Sequence, residues 1–227
     1  MLNDQKYSTQ DSPWAAMQPK TMVSADVTTY LKQIYAMLAA SLIVAVAAGY
    51  VGMSLPFARE HPIILLLLMF GALFLAFKVQ NAVTLFLFTG LSGLSLGPVI
   101  AHYVGAGMSH IVGQAAFLTG AVFTGLSVYS LTTKRDLSMM GGMLFAGLIV
   151  IVVGGLINLF VQSSAVSFAI SGLGSVIFAG YILFETQQLK ENPWAMAPSV
   201  AALSMYLNVV NLFTSLLRLL GFLGGDE

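Results

Sequence analysis

Seven long apolar runs, separated by short polar breaks, govern what this chain can become. They occupy residues 29–53, 62–79, 82–104, 111–131, 137–161, 166–189 and 198–223. A helix that crosses the hydrocarbon core of a bilayer needs about 20 predominantly apolar residues, and each run is near that length. Only 8% of the 227 residues are charged, while 58% are hydrophobic. A soluble domain carries about 25% charged residues, so there is too little charge here to cover a water-facing surface. The expected fold is an all-α integral membrane protein. One domain of seven transmembrane helices covers residues 25–227, and a polar tail, residues 1–24, precedes it.

The same composition excludes several functions. Formal net charge is +0, so no basic field draws nucleic acid to the protein, and the expected surroundings are a lipid bilayer. With no cysteine in the chain, disulfides, thiolate nucleophiles and thiolate metal sites are all ruled out. Asp4 and Asp11 precede any apolar run, which is not the order of a signal peptide, so the first run is expected to remain in the protein. The tail has Pro13 and Pro19 and no helical period, and reads as a flexible cytosolic arm. Ser24 or Asp26 would cap the helix after it.

The breaks and small residues add detail. Pro56, Arg59, Glu60 and Pro62 read as a turn, and Ser138 as a cap after the 132–136 break. Gly93 and Gly97 stand four apart, the spacing at which membrane helices pack closely. Pro98 is expected to bend or loosen the third helix. Orientation follows from the short-loop cations. With the N-terminus in the cytosol, Lys6, Lys20, Lys32, Lys78, Lys134, Arg135 and Lys190 lie inside, against Arg59 and Arg218 outside. The C-terminus and all three histidines then fall on the outer side.

Polar residues inside the last two runs are the candidate site. Ser204, Asn208, Asn211, Ser215 and Arg218 recur at spacings of three and four and form one stripe of a helix. Ser167, Ser171, Gly174, Tyr181 and Glu185 form another on the sixth run. A tight hairpin between the two runs makes the stripes face each other or a shared cavity. One reading is a polar ion path with Glu185 as its pH-sensing group, since intramembrane acids are costly and usually functional. The other is packing, with amides and hydroxyls bonded across the interface. Burial disfavours the charged form of an acid, and a nearby cation favours it again. Lys78 and Arg135 are the candidate charge partners, unless they reach out to lipid phosphates.

Other chemistry has little support. His61, His102 and His110 show no metal-ligand spacing, so no metal and no resident cofactor are expected. No GxSxG, paired intramembrane aspartate or Walker motif occurs. A single carboxylate without a positioned partner is a poor acid–base site, so no catalytic residue and no enzyme activity are expected.

Four stretches carry a resemblance. FTGLSGLSLGPVI, SLTTKRDLSMMGGMLFAGL, YILFETQQL and SMYLNVVNLFTSLLRLLGF resemble the transmembrane Bax-inhibitor-motif family, and within it the proteobacterial YccA-type branch. The resemblance implies a bundle whose seventh helix is central. It also implies a calcium leak gated by two aspartates that share a proton, one in each of the last two helices. Glu185 matches the first and Asn208 the second, so this chain keeps one acid and puts an amide opposite it. An amide cannot titrate beside a carboxylate. The branch implies a different role, binding and modulation of the membrane AAA protease FtsH in the bacterial inner membrane. The polar tail would then be a handle for that protease, and calcium remains the ion that a leak would carry.

Overall fold

The computed structural model describes residues 20–224, with side chains from Asp26 onward. Eight helices follow in chain order: α1 Lys20–Ser54, α2 Pro56–Glu60, α3 Pro62–Val79, α4 Ala82–Gly105, α5 Ser109–Thr132, α6 Met140–Val161, α7 Ser164–Glu191 and α8 Pro198–Gly224. All but α2 are long and apolar enough to cross a membrane. The protein is a multi-pass, all-helical membrane protein with seven spans, and α2 is a single short turn where the sequence reads as a plain turn. α1 begins earlier than expected, at Lys20, so Ser24 and Asp26 lie within it rather than at its start. Residues 1–19 of the expected tail lie outside the described residues.

The helix ends show which local signals the chain uses. Asn81 caps α4 by accepting from the Thr84 N–H at 2.9 Å. Gln80 and Gln162 close α3 and α6 in left-handed conformation, at φ 53° each, where glycine is the usual residue. Ser138 does not cap α6. The residue before that helix is Met139, and the Ser138 N–H instead donates to Asp136 Oδ1 at 2.8 Å. That bond holds the exposed Asp136 carboxyl below the usual carboxylate range. Its contribution to loop order is present above that range and fades as pH falls through the lowered value.

Burial places α8 at the centre. Half of its span is buried, more than any other span, while in α6 Leu144 alone is buried. α8 packs on α1, α4, α5 and α7, with α3 applied to the outside of α4 and α6 to the outside of α7. Tyr30, Ile34 and Leu38 from α1 meet Ala202, Leu203, Met205 and Tyr206 from α8 in the main core cluster. The Tyr206 hydroxyl, fully buried, donates to the Thr89 carbonyl of α4 at 3.4 Å.

The tightest pair is α1 with α4. A Cβ on Gly93 would stand 2.8 Å from the Ala45 Cα, and one on Gly97 would stand 2.6 Å from the Gly52 Cα. The two expected small residues therefore let the backbones touch. Pro98 lies inside α4 without ending it. Proline has no N–H for the Leu94 carbonyl one turn earlier. That oxygen is covered by α1, because a Cβ on Gly52 would fall 2.5 Å from it.

Candidate functional site

α7 and α8 run antiparallel, joined by the turn at 192–197, and that turn is clamped onto α1. The Tyr30 hydroxyl donates to the Met196 carbonyl at 3.0 Å, and Trp194 Nε1 donates to Asp26 Oδ1 at 2.9 Å. Trp194 itself has φ +64°, a conformation that costs a bulky residue about 1–3 kcal/mol. Its ring packs on Tyr30 with centroids 4.7 Å apart, which holds it there.

One turn into α7 from this end, Gln187 is buried at 2% exposure. Its Nε2 donates to the Arg135 carbonyl at 2.6 Å, and its Oε1 accepts from the Leu137 N–H at 2.8 Å. Nearby, Ser130 Oγ donates to the Leu183 carbonyl at 2.8 Å and Lys190 Nζ to the Leu131 carbonyl at 2.7 Å. Four side-chain bonds thus fix α7 to the end of α5 and the 133–139 loop, on either side of Glu185. Gln187→Leu keeps the bulk and removes both loop bonds. Leaving buried partners unmet costs about 1–3 kcal/mol, and water at this loop keeps the loss at the lower end. Hydrogen exchange at the Leu137 amide should accelerate about tenfold, with the mid-span amides of α7 unchanged. Unchanged exchange at Leu137 would show that the amide is not the tether.

The two expected stripes meet where α7 and α8 face each other. Asn208 Nδ2 donates to Glu185 Oε2 at 2.5 Å. The Ser204 hydroxyl lies beside the same carboxyl. These three residues and Asn211 line a cavity of about 320 Å³ between α6, α7 and α8. Leu148, Phe178, Phe184 and Leu207 are its apolar walls, and Tyr181 completes the lining. The walls carry no sequence signal, being apolar residues in apolar helices. Gln187 did carry one, an extra amide beside Glu185.

The rest of the stripes lie elsewhere. Ser215 packs against Gly174, where an added Cβ would stand 2.7 Å from its Oγ. Ser171 Oγ turns back to the Ser167 carbonyl at 2.8 Å. Arg218 and Ser167 belong to a second cleft, at the opposite end of the bundle. Lys78 is exposed in the last turn of α3, and Arg135 is exposed in the 133–139 loop. The polar groups beside the Glu185 carboxyl are Asn208, Ser204 and the Tyr181 hydroxyl, with no cation among them. Among the described residues, no group of three or more histidine or acid side chains could hold a metal ion.

A carboxyl held by an amide and a hydroxyl in a cavity inside a bundle can bind a proton or a cation, and it can also serve as packing. The family model described as Inhibitor of apoptosis-promoting Bax1 matches residues 27–225. The chain is 39% identical over 165 residues to Escherichia coli YccA, a modulator of FtsH protease, covering 70% of this chain and 74% of that one. It is 39% identical over 203 residues to an uncharacterized membrane protein of Vibrio cholerae, covering 87% and 91%. It is 31% identical over 203 residues to the Golgi anti-apoptotic protein of Vaccinia virus, covering 84% of each. With seven spans, a central last helix and a match over nearly all of them, the chain belongs to the Bax-inhibitor family of membrane proteins.

Proposed function

We propose that this chain is a non-enzymatic inner-membrane protein that binds and modulates an FtsH-type membrane AAA protease. The observation that carries the reading is its identity to the FtsH modulator of Escherichia coli across most of the bundle. The Asn208–Glu185 pair supports it, because an amide opposite the acid removes the proton-sharing partner that the leak members of the family are expected to use. The N-terminus is cytosolic and the C-terminus periplasmic in this reading. That follows from the excess of short-loop cations at the end carrying Lys78, Lys134, Arg135 and Lys190.

The experiment is reconstitution with the protease. Full-length protein in liposomes should co-purify with an FtsH-type protease and lengthen the half-life of a second membrane substrate several-fold. No co-purification and an unchanged half-life would overturn the reading. Residues 1–19, polar and carrying Pro13 and Pro19, are the handle in this scheme. A chain beginning at Lys20 should be degraded at least several-fold more slowly than the full chain. Equal rates would remove the tail as the handle while leaving the binding result to stand alone.

A second reading is a pH-sensitive calcium or cation leak with Glu185 as its gate. The cavity around that carboxyl favours it, and its test is the flux experiment argued in the Discussion. The two activities are compatible in one bundle.

A further inference from the structure

The second cleft lies at the end of the bundle away from the α7–α8 turn, between the end of α4, α6, α7 and the last turns of α8. Its volume is about 440 Å³. Its polar lining is Arg218, His102, Tyr103, Asn158 and Ser167. These come from four different spans and are far apart in sequence, so the sequence shows Arg218 and Ser167 only as parts of two stripes and His102 only as a histidine without metal-ligand spacing.

Among the described residues the lining offers donors, and no aspartate or glutamate borders the cleft. Among the described residues, no carboxylate pairs with Arg218, whose electrostatic neighbour is the Tyr103 hydroxyl. The amide of Asn158 is bonded on both sides. Its Oδ1 accepts from the Ser163 N–H at 3.0 Å, and its Nδ2 donates to Ser167 Oγ at 2.6 Å. Because that oxygen already accepts, the Ser167 proton is left to point at a further acceptor. The Tyr103 ring is seated over Gly221, where an added Cβ would lie 2.5 Å from the hydroxyl, so the phenol is held at the cleft by close packing. A guanidinium with two hydroxyls around it suits the oxygens of a phosphate group, which arginine can meet with two parallel bonds.

The remaining walls are apolar and turn toward the membrane. Leu159 and Phe222 border the cleft, at 68% and 37% exposure. Phe160 and Phe168 beside them are also exposed. Arg218 stands within two turns of the end of α8, about 9 Å along the axis at 1.5 Å per residue, a distance over which a long arginine side chain can reach toward a headgroup layer at the helix end. An arginine there would otherwise reach into water alone. Here it is set in a cleft with polar groups on one side and lipid-facing apolar groups on the other.

We propose that this cleft binds a phosphate group, that of an anionic phospholipid such as phosphatidylglycerol, with Arg218, Ser167 and Tyr103 on the phosphate and the acyl chains along Leu159 and Phe222. The site is separate from the Glu185 cavity and does not rest on the protease reading. The test uses full-length protein, delipidated in non-ionic detergent and titrated with phosphatidylglycerol or phosphatidylcholine, with bound lipid read by native mass spectrometry. The wild-type protein should hold phosphatidylglycerol at least tenfold more tightly than phosphatidylcholine. Arg218→Gln should lower it to the phosphatidylcholine level, and Ser167→Ala should weaken it several-fold. Lys134→Gln, in the loop at the other end, should leave it unchanged. All variants are first checked for monodispersity, and Ser167→Ala keeps the test alive if Arg218→Gln fails to fold. Excess inorganic phosphate distinguishes the sources. Displacement of the lipid would show a phosphate site open to free anions, and no displacement would show one that requires the acyl chains. Equal retention of the two lipids by the wild type would overturn the proposal. So would full retention of phosphatidylglycerol by folded Arg218→Gln and Ser167→Ala.

Discussion

Gly93→Ala, like Gly97→Ala, should cost this protein more stability than a methyl group added to any other glycine in α3, α4 or α5. The methyl has nowhere to go. It would sit 2.8 Å from the Ala45 Cα and inside contact distance of the Ala45 carbonyl oxygen. Both are backbone atoms of a helix that cannot rotate a side chain out of the way. α1 and α4 must then separate, and the loss spreads along the whole pair, because Gly49, Gly52 and Gly97 share the contact. Overpacking a core typically costs 1–3 kcal/mol, and a backbone collision belongs at about 3 kcal/mol. For a chain of this size that is a fall of roughly 6–12 °C in melting temperature. Gly97→Ala meets the Gly52 backbone in the same way and should behave alike. The matched control is Gly71→Ala in α3, where nothing lies within 4 Å of the added carbon. That variant should melt at or slightly above the wild type, since alanine is the better helix residue. The readout is thermal unfolding of detergent-solubilised protein. Equal melting of Gly93→Ala and Gly71→Ala would mean that α1 and α4 do not approach as closely as described.

The Gly93–Gly97 spacing was legible in the sequence because close packing of membrane helices depends on small residues at fixed intervals. The spans were legible for an equally physical reason, since bilayer thickness fixes the length of an apolar run. The break at Gln80 and Asn81 separates α3 from α4 where expected. Helix starts were harder to read. Ser138 has the right chemistry for a cap, yet α6 begins only at Met140, after Met139, and no side chain caps it. The onset of α1 at Lys20 is invisible to a hydropathy argument, because the turn before the membrane need not be apolar. The pairing of Glu185 with Asn208 could be foreseen from two stripes and a hairpin, as both face a common interface. What the stripes could not show is where they part. A repeat of three and four continues from Ser204 to Arg218, but Gly174 brings α7 against Ser215 and divides the polar surface in two. Nor could sequence place His102, Tyr103 and Asn158 around Arg218, since only the packing of four spans brings them together.

The largest functional effect is expected from Asn208→Asp. In the native pair the amide donates to the Glu185 carboxyl, and it has no charge to gain or lose between pH 6 and 8. The amide N–H can donate to that carboxyl whether or not the carboxyl holds a proton, so the two helices should stay joined at this level, and calcium flux into proteoliposomes should be low and flat over that range. An aspartate in the same place sets two carboxyls against each other in a cavity lined largely by apolar groups. They can remain together only while one proton is shared between them. When that proton leaves as pH rises, two like charges about 4 Å apart repel by about 4 kcal/mol at an effective dielectric of 20. Every 1.4 kcal/mol is a factor of ten in an equilibrium, so even a third of that repulsion opens the pair tenfold more often. Flux through Asn208→Asp should accordingly rise about tenfold or more toward pH 8. Adding Glu185→Gln to it should abolish the rise, because one charge has no partner to repel. Silence from the folded Asn208→Asp protein would make the cavity packing rather than a closed path. A native protein that conducts, with a pH profile that Glu185→Gln alone removes, would put the leak ahead of protease modulation and make one carboxyl sufficient as its gate.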